Sequence, residues 1–322
     1  MHNPIPTLAL SLALALLVPL SACKPANQSP TTPATSTKPR IALVMKSLAN
    51  EFFLTMENGA KSHQQAHPDA YDLIANGIKD ELDVGRQTDL VEQMIAQKVD
   101  AIVIAPADSK ALIPVCKKAR DQGIVVVNID NQFDSDVLKA SNAKFPFVGP
   151  DNRKGARMVG DYLASKLQPN APVAIIEGAP NAFNATQRQL GFEDAAKAAS
   201  LKIVASQSGY WETEKANGVA AAILTEHPDI QAFLCANDSM ALGVVAVLRA
   251  AGQIDKIQIV GYDNIGPMKE LLKSGHVLAT ADQHADQLAV FGIEYALEIL
   301  KTGSPPADRE TPVDLITAPA GN

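Results

Sequence analysis

Short apolar runs rich in β-branched residues alternate with longer stretches of helical period along most of this 322-residue chain. Strands are expected at Ile41–Met45, Tyr71–Ala75, Ala101–Ala105, Ile124–Ile129, Phe145–Gly149, Val173–Glu177, Ile203–Gln207, Ala232–Cys235, Ile257–Tyr262 and Val277–Ala281. Several are apolar throughout, as strands covered on both sheet faces must be. Helices are expected between them, at Phe53–Ala66, Leu82–Gln97, Lys110–Arg120, Asn152–Lys166, Ala182–Ala199, Thr213–Thr225, Ser239–Ala251 and Ala285–Lys301. Such alternation produces α/β folds with parallel, doubly wound sheets. Gly123 and Gly252 follow helical stretches, where a left-handed residue ends a helix well. His67-Pro68-Asp69 and His227-Pro228-Asp229 are expected to close equivalent helices in the first and second halves and suggest two similar lobes.

The first 22 residues carry no Lys, Arg, Asp or Glu. Leu8 to Leu20 is mostly Leu, Ala and Val, too short for an ordinary membrane span and suited to the apolar region of a secretory signal. Leu20-Ser21-Ala22-Cys23 has the small-residue-then-Cys pattern of a bacterial lipoprotein cleavage site, although the usual basic start is absent. Residues 1–22 are therefore expected to be a lipoprotein signal peptide, with Cys23 lipidated; in a plain signal peptide Cys23 would be incidental. Lys24 to Pro39, rich in Pro, Thr, Ser and Ala, cannot bury enough apolar surface to fold and is expected to be a tether. The folded part begins near Lys38 and is long enough for two domains.

Net charge is −7, without a local run of Lys or Arg, so no nucleic-acid partner is expected. Cys116 and Cys235 lie far apart and outside any CxxC pair; both read as small buried hydrophobes rather than a disulfide. The chain has no P-loop, GxGxxG, GxSxG or HExxH pattern. His63 and His67 have the spacing of two metal ligands on one helix face, but no third ligand is nearby, and helix-end histidines are commonly superficial. No enzyme, metal or cofactor is expected.

The ends of the expected strands are unusual. Asn50, Phe52 and Phe53 follow the first; Asp108-Ser109 the third; Asp130-Asn131 the fourth; and Glu177-Gly178, Asn237-Asp238, Asp263-Asn264 and Asp282-Gln283 those of the second half. Ligands bind at the carboxyl ends of strands in open α/β sheets. Asn, Asp, Gln and Glu can each hold hydroxyl groups, and flat rings can cover the C–H face of a sugar. Any one of these residues can equally be a helix cap, which is the preferred reading for Asp108-Ser109 and Asp238-Ser239. The two Phe can equally be core residues.

From about Arg40 to Ala318 the chain resembles the periplasmic sugar-binding proteins of the type I fold that serve ABC transporters, ribose binders in particular. The matching stretches include Asn50-Glu51-Phe52-Phe53, Asn128-Ile129-Asp130-Asn131, Val148-Gly149-Pro150-Asp151-Asn152, Arg188-Gln189-Leu190-Gly191-Phe192, Ala236-Asn237-Asp238-Ser239 and Ala279-Thr280-Ala281-Asp282-Gln283. The resemblance implies two Rossmann-like lobes with parallel sheets, joined by a three-crossing hinge near Pro150, Gln283 and Asp314. It implies an N-terminal lobe of residues 40–150 plus 284–314 and a C-terminal lobe of 151–283 plus 315–322. It places ligand contacts at Asn50, Phe52, Phe53, Asp130, Asn131, Arg188, Trp211, Asn237, Asp263 and Gln283. Asp130 and Asp263 would accept hydroxyls, Arg188 would present a planar fork of donors, and Trp211 would cover the sugar face opposite Phe53. For Arg188 the alternative is a surface salt bridge, and for Trp211 a core or surface aromatic.

Two positions depart from the ribose-binder pattern. Asn131 stands where those proteins carry Arg, and Glu51 where they carry Pro. These departures point toward another pentose, a hexose or a linear polyol. The partners implied are a sugar or polyol and an ABC permease in the inner membrane, the chain acting as a monomer in the periplasm or cell envelope. The same fold also serves chemoreceptors, sensor kinases and capture of furanose-like autoinducers. A repressor of the lactose-repressor family would need an N-terminal helix-turn-helix, where this chain has an export signal. An enzyme reading would rest on His284 beside Gln283 as a general base.

Overall fold

The structure is a computed structural model that describes residues 38–318; the expected signal, Cys23 and most of the tether lie outside them. In chain order the elements are β1 (Arg40–Ser47), α1 (Glu51–Ala66), β2 (Asp72–Ile78), α2 (Val84–Ala96), β3 (Ala101–Ile104), α3 (Ile113–Asp121), β4 (Val125–Ile129), α4 (Ser135–Ala140), β5 (Phe147–Pro150) and α5 (Asn152–Ala164). Next come β6 (Pro172–Glu177), α6 (Phe183–Ala198), β7 (Lys202–Ser208), α7 (Thr213–Glu226), β8 (Ala232–Cys235), α8 (Asp238–Ala250), β9 (Gln258–Val260), α9 (Gly266–Lys273) and β10 (Ala279–Asp282). The last are α10 (Ala285–Thr302), β11 (Arg309–Thr311) and β12 (Asp314–Thr317).

The strands form two six-stranded sheets, ordered β11-β5-β4-β3-β1-β2 and β12-β10-β9-β8-β6-β7. Among the described residues every strand pairing is parallel except β10 with β12. The α/β class with parallel sheets is thus as the alternation predicts. Both sheets wind in the same way: the first strand lies next to one edge, the second forms that edge, and the rest add on the other side of the first. Ligands of this winding bind at the carboxyl ends flanking the switch point.

The chain passes from one sheet to the other after β5, after β10 and between β11 and β12. Helix α5 packs on α6, β9 and β10, whereas α10 returns to α1, β3 and β4. The strand centres are dry: Ile41, Leu43, Val103, Val173, Ile175 and Phe233 are fully buried. Apolar side chains on both faces of the sheets supply the stabilising burial. Cys116 and Cys235 are free and buried, in agreement with their reading as core residues.

Four elements escape the sequence reading. Helix α4 has six residues, capped by Asp134, and is too short to show a period. Helix α9 begins Gly266-Pro267, which reads as a turn although Pro suits a first helical turn. The strands β11 and β12 are defined only by their partners β5 and β10. The two His-Pro-Asp tripeptides follow α1 and α7, with His67 and His227 as C-caps. Those helices are not equivalent, because α1 precedes the second strand of its sheet and α7 the third of its own. The similarity of the lobes lies in strand order, not in that repeat.

Candidate ligand-binding site

The carboxyl ends of both sheets face one small cavity between the lobes. It is lined by Lys46, Asn50, Phe52, Phe53, Glu81 and Asp130 from one lobe and by Asn184, Arg188, Trp211, Asn237, Asp263 and Gln283 from the other.

On the first lobe, Asn50 ends the turn after β1 and caps α1, its Oδ1 accepting from Phe52 N at 3.1 Å. Its Nδ2 donates to Glu81 Oε1 at 2.9 Å. Capping and cavity lining are therefore combined in one side chain. Phe52 and Phe53 meet edge to face, centroids 5.0 Å apart, and each is buried on its core side while bordering the cavity. Asp130 follows β4 in a left-handed conformation, φ 62°. Such strain in a non-glycine residue persists only where the surroundings enforce it and clusters at functional sites.

On the second lobe, Arg188 projects from α6 and is 2% exposed, which excludes the surface salt-bridge alternative. Its Nε donates to Asn152 Oδ1 at 2.8 Å and its Nη1 to Ala236 O at 2.8 Å. The guanidinium lies 3.7 Å from the Tyr262 ring centroid and 3.4 Å from Asp263 Oδ1. Gln283 Nε2 donates to the same Asp263 oxygen at 2.7 Å. Asn237 caps α8 by accepting from Met240 N, and its Nδ2 donates to Trp211 O. Trp211 (φ 70°) and Asp263 (φ 118°) also have positive φ.

Asp238 corrects a sequence expectation. The cap of α8 is Asn237, while buried Asp238 accepts from Thr280 Oγ1 at 2.8 Å and Ile265 N at 3.1 Å. It ties α8 to the loop that carries Asp263. Asp108-Ser109 is corrected too: Asp108 accepts from Lys110 N and Ala111 N in the turn before α3, whose N-cap is Leu112.

Asn131 is also corrected. It does not line the cavity. Its Nδ2 donates to Pro106 O, and its Oδ1 accepts from Ser109 Oγ and from Asn184 N of the opposite lobe. With its amide used up between the lobes, it positions Asn184 instead of meeting a ligand. Nearby, Phe183 N donates to Ser109 Oγ and Asn181 Nδ2 to Asp108 Oδ2. The lobes are therefore shut upon each other.

Lys46, Glu81 and Asn184 are lining residues that sequence reasoning missed. Lys46 looks like the charged end of a strand, Glu81 sits in the charged stretch Lys79-Asp80-Glu81, and Asn184 lies in the first turn of a helix. A lysine only 2% exposed at the end of an apolar run is visible only after folding.

The electrostatics suit an uncharged, hydroxyl-rich ligand. Burial pushes the Glu81 carboxyl up to about 7, against the opposing pull of Lys46 and the Asn50 hydrogen bond. Burial pushes Asp263 well above the carboxylate range, opposed by Arg188. Four buried polar atoms on lining residues have no hydrogen-bond partner in the protein: Asp130 Oδ2, Asn184 Oδ1, Gln283 Oε1 and the donor Trp211 Nε1. Buried polar groups are rarely left unpaired, and each such exception calls for a partner. His284 does not line the cavity; its Nε2 meets Asp314 Oδ2 at 2.8 Å between two interlobe connections, away from the role of a general base. His63 Nδ1 pairs with Tyr71 OH at 2.9 Å.

Two sheets of identical winding, three interlobe connections and a polar cavity between them are the architecture of type I periplasmic binding proteins. A model of the periplasmic binding protein domain matches residues 41–304, and the chain belongs to that family. It is 61% identical over 289 residues to the D-ribose/D-allose-binding protein of Pseudomonas aeruginosa, covering 88% of this chain and 91% of the relative. An ABC transporter solute-binding protein from Burkholderia multivorans superposes with a TM-score of 0.86 at 60% identity, over 88% of this chain and all (100%) of the other. A periplasmic solute-binding protein from Actinobacillus succinogenes 130z with bound D-allose gives 0.82 at 38% identity, over 87% of this chain and 98% of the other.

Proposed function

We propose that this protein captures one aldose, D-allose or D-ribose, between its lobes and hands it to an ABC importer. The observation that carries this reading is the set of unpartnered atoms on Asp130, Asn184, Trp211 and Gln283 around one small cavity. Three accept and one donates, as hydroxyl groups that both donate and accept require. Phe53 and Trp211 supply ring faces from opposite lobes, and Arg188, Asp263, Asn237, Asn50 and Phe52 complete the contacts. A hexose with its larger set of hydroxyls fits the presence of Lys46 and Glu81 at the cavity wall. The names of the relatives in Pseudomonas and Actinobacillus support the choice of sugars.

Ligand joins the two lobes and favours the shut form by its differential affinity for it. The shut form is then the one a permease takes up. The Leu20-Ser21-Ala22-Cys23 pattern supports lipidation at Cys23, with the tether letting a monomeric binding unit reach its permease from the membrane surface.

Thermal denaturation with a panel of aldoses, polyols and nucleosides tests the reading. A sugar at 100 times its Kd adds about 2.7 kcal/mol to the form that binds it. D-allose and D-ribose are expected to raise the midpoint by several degrees. No response to any sugar, with mass spectrometry of the denatured protein releasing some other compound, would overturn sugar capture in favour of signal sensing.

A further inference from the structure

Glu51 begins α1 at the rim of the cleft and does not line the cavity. Its Oε1 accepts a 2.8 Å hydrogen bond from the Gly266 backbone N–H in the other lobe. Gly266 is the first residue of α9, whose own N-cap, Ile265, has no side chain able to accept. The first N–H groups of a helix lack internal partners, and a carboxylate there is favoured by the helix dipole. One lobe thus supplies the cap that a helix of the other lacks. A second observation shows how closely the two fit. A β-carbon on residue 266 would lie 2.5 Å from Glu51 Oε1, so the carboxylate reaches the helix because residue 266 is glycine. Beside this contact, Asn50 Oδ1 accepts from Ser239 Oγ across the same cleft at 3.4 Å.

We propose that Glu51 is a closure latch: its carboxylate caps α9 across the cleft when the lobes shut, and so prolongs the sugar-bound state without touching the sugar. The proposal rests on sugar capture as proposed above. An interaction present in only one of two states shifts their balance by its own free energy. Because sugar leaves through the open form, the latch acts on dissociation.

Stopped-flow fluorescence of Trp211, the single Trp of the chain, reads binding and release in the full chain. Glu51→Ala is expected to raise koff and Kd for D-allose about five- to tenfold with kon little changed, the scale of one charge-assisted hydrogen bond. Glu51→Gln keeps an acceptor without its charge and is expected between that variant and the parent. Gly266→Ala is expected to weaken binding similarly, by pressing a methyl against the carboxylate. In the Glu51→Ala background it is expected to add little, since the partner it obstructs is gone. The urea midpoint without sugar is expected to stay within the range of ordinary surface substitutions. A Glu51→Ala koff equal to that of the parent overturns the latch, as do effects of the two substitutions that simply add. A parent chain that binds neither D-allose nor D-ribose overturns sugar capture itself, and with it a latch on a sugar-bound state.

Discussion

Lys46 Nζ lies 3.4 Å from Asp130 Oδ2, with the two side chains 3% and 2% exposed. The pair joins the tips of β1 and β4 over the end of β3. The distance is that of an ion pair, while the geometry leaves Asp130 Oδ2 without a hydrogen bond. Lys46 Nζ also stands 5.6 Å from the Phe53 ring centroid and 5.7 Å from that of Trp211. A single buried cation thereby touches both lobes' aromatic walls.

Removing one member of a buried ion pair typically costs about 3–5 kcal/mol. Asp130→Ala is expected to lower stability toward the low end of that range and to abolish measurable sugar binding. Asp130→Asn tolerates the left-handed backbone and keeps one acceptor, so it is expected to lose less stability but still bind at least about tenfold more weakly. Urea midpoints and titration calorimetry check both variants. Sugar affinity unchanged in Asp130→Ala would remove Asp130 from the site.

Trp211 rests on Gly178 so closely that a β-carbon at residue 178 would clash with Cη2, Cζ2 and Cε2 of the indole. Gly178→Ala is therefore expected to displace the ring and weaken sugar binding by at least about tenfold. Fold stability should change less, because the strands of the second sheet remain intact. The change in Trp211 fluorescence on adding sugar, together with Kd, reports the outcome. A variant with parental affinity would show that the position of the ring does not matter.

Arg188 forms hydrogen bonds to Asn152 and Ala236, stacks on Tyr262 and faces Asp263. A lysine offers one compact cation where this arrangement uses a planar fork. Arg188→Lys is expected to reduce affinity by more than about tenfold and to destabilise the fold by roughly 1–3 kcal/mol through unsatisfied polar groups. Calorimetry and urea unfolding test this. Parental values in both would show that charge alone suffices at this position.

Stability should fall as pH rises through the range set by the buried carboxyls. Burial pushes Asp238 up to about 7 and Glu81 up to about 7, and pushes Asp263 upward as well. The folded chain keeps these protons from about pH 4 upward, where unfolded carboxyls have already lost theirs. Each therefore contributes stability that is present at low pH and lost as pH approaches its folded value. His63, lowered by its partial burial and by His67, acts in the opposite sense at mildly acid pH. Asp238→Asn, neutral at every pH, is expected to lose less stability than the parent between pH 5 and pH 8. Urea midpoints at the two pH values decide it. An equal loss in variant and parent would show that Asp238 is already ionised in the fold.

Cys23→Ser is expected to move the protein from the detergent-rich to the aqueous phase on phase separation and to abolish labelling by a fatty-acid probe. Sugar affinity should stay unchanged, since every residue that lines the cavity lies between Lys46 and Gln283, far along the chain from Cys23. Continued labelling of the variant would exclude Cys23 as the lipid attachment point.

The apolar runs at Ile41–Met45, Ala101–Ala105 and Val173–Glu177 determine parallel strands by themselves, because few other structures bury every residue of a short segment. With the intervening helical periods they determine the α/β class and two doubly wound sheets. Short-range chemistry is also legible: the tendency of Asn50 to cap a helix follows from its place before a helical run. The tertiary structure decided what those runs cannot encode locally. It turned Asn131 away from the cavity to bridge Ser109 and Asn184, and it moved the cap of α8 from Asp238 to Asn237. It buried Lys46 and Glu81, whose sequence surroundings suggest solvent. It also brought Glu51 to Gly266 across 215 positions. Strand and helix periods are properties of neighbours along the chain. Which polar groups lose water, and which find a partner, depends on how two separately formed lobes meet.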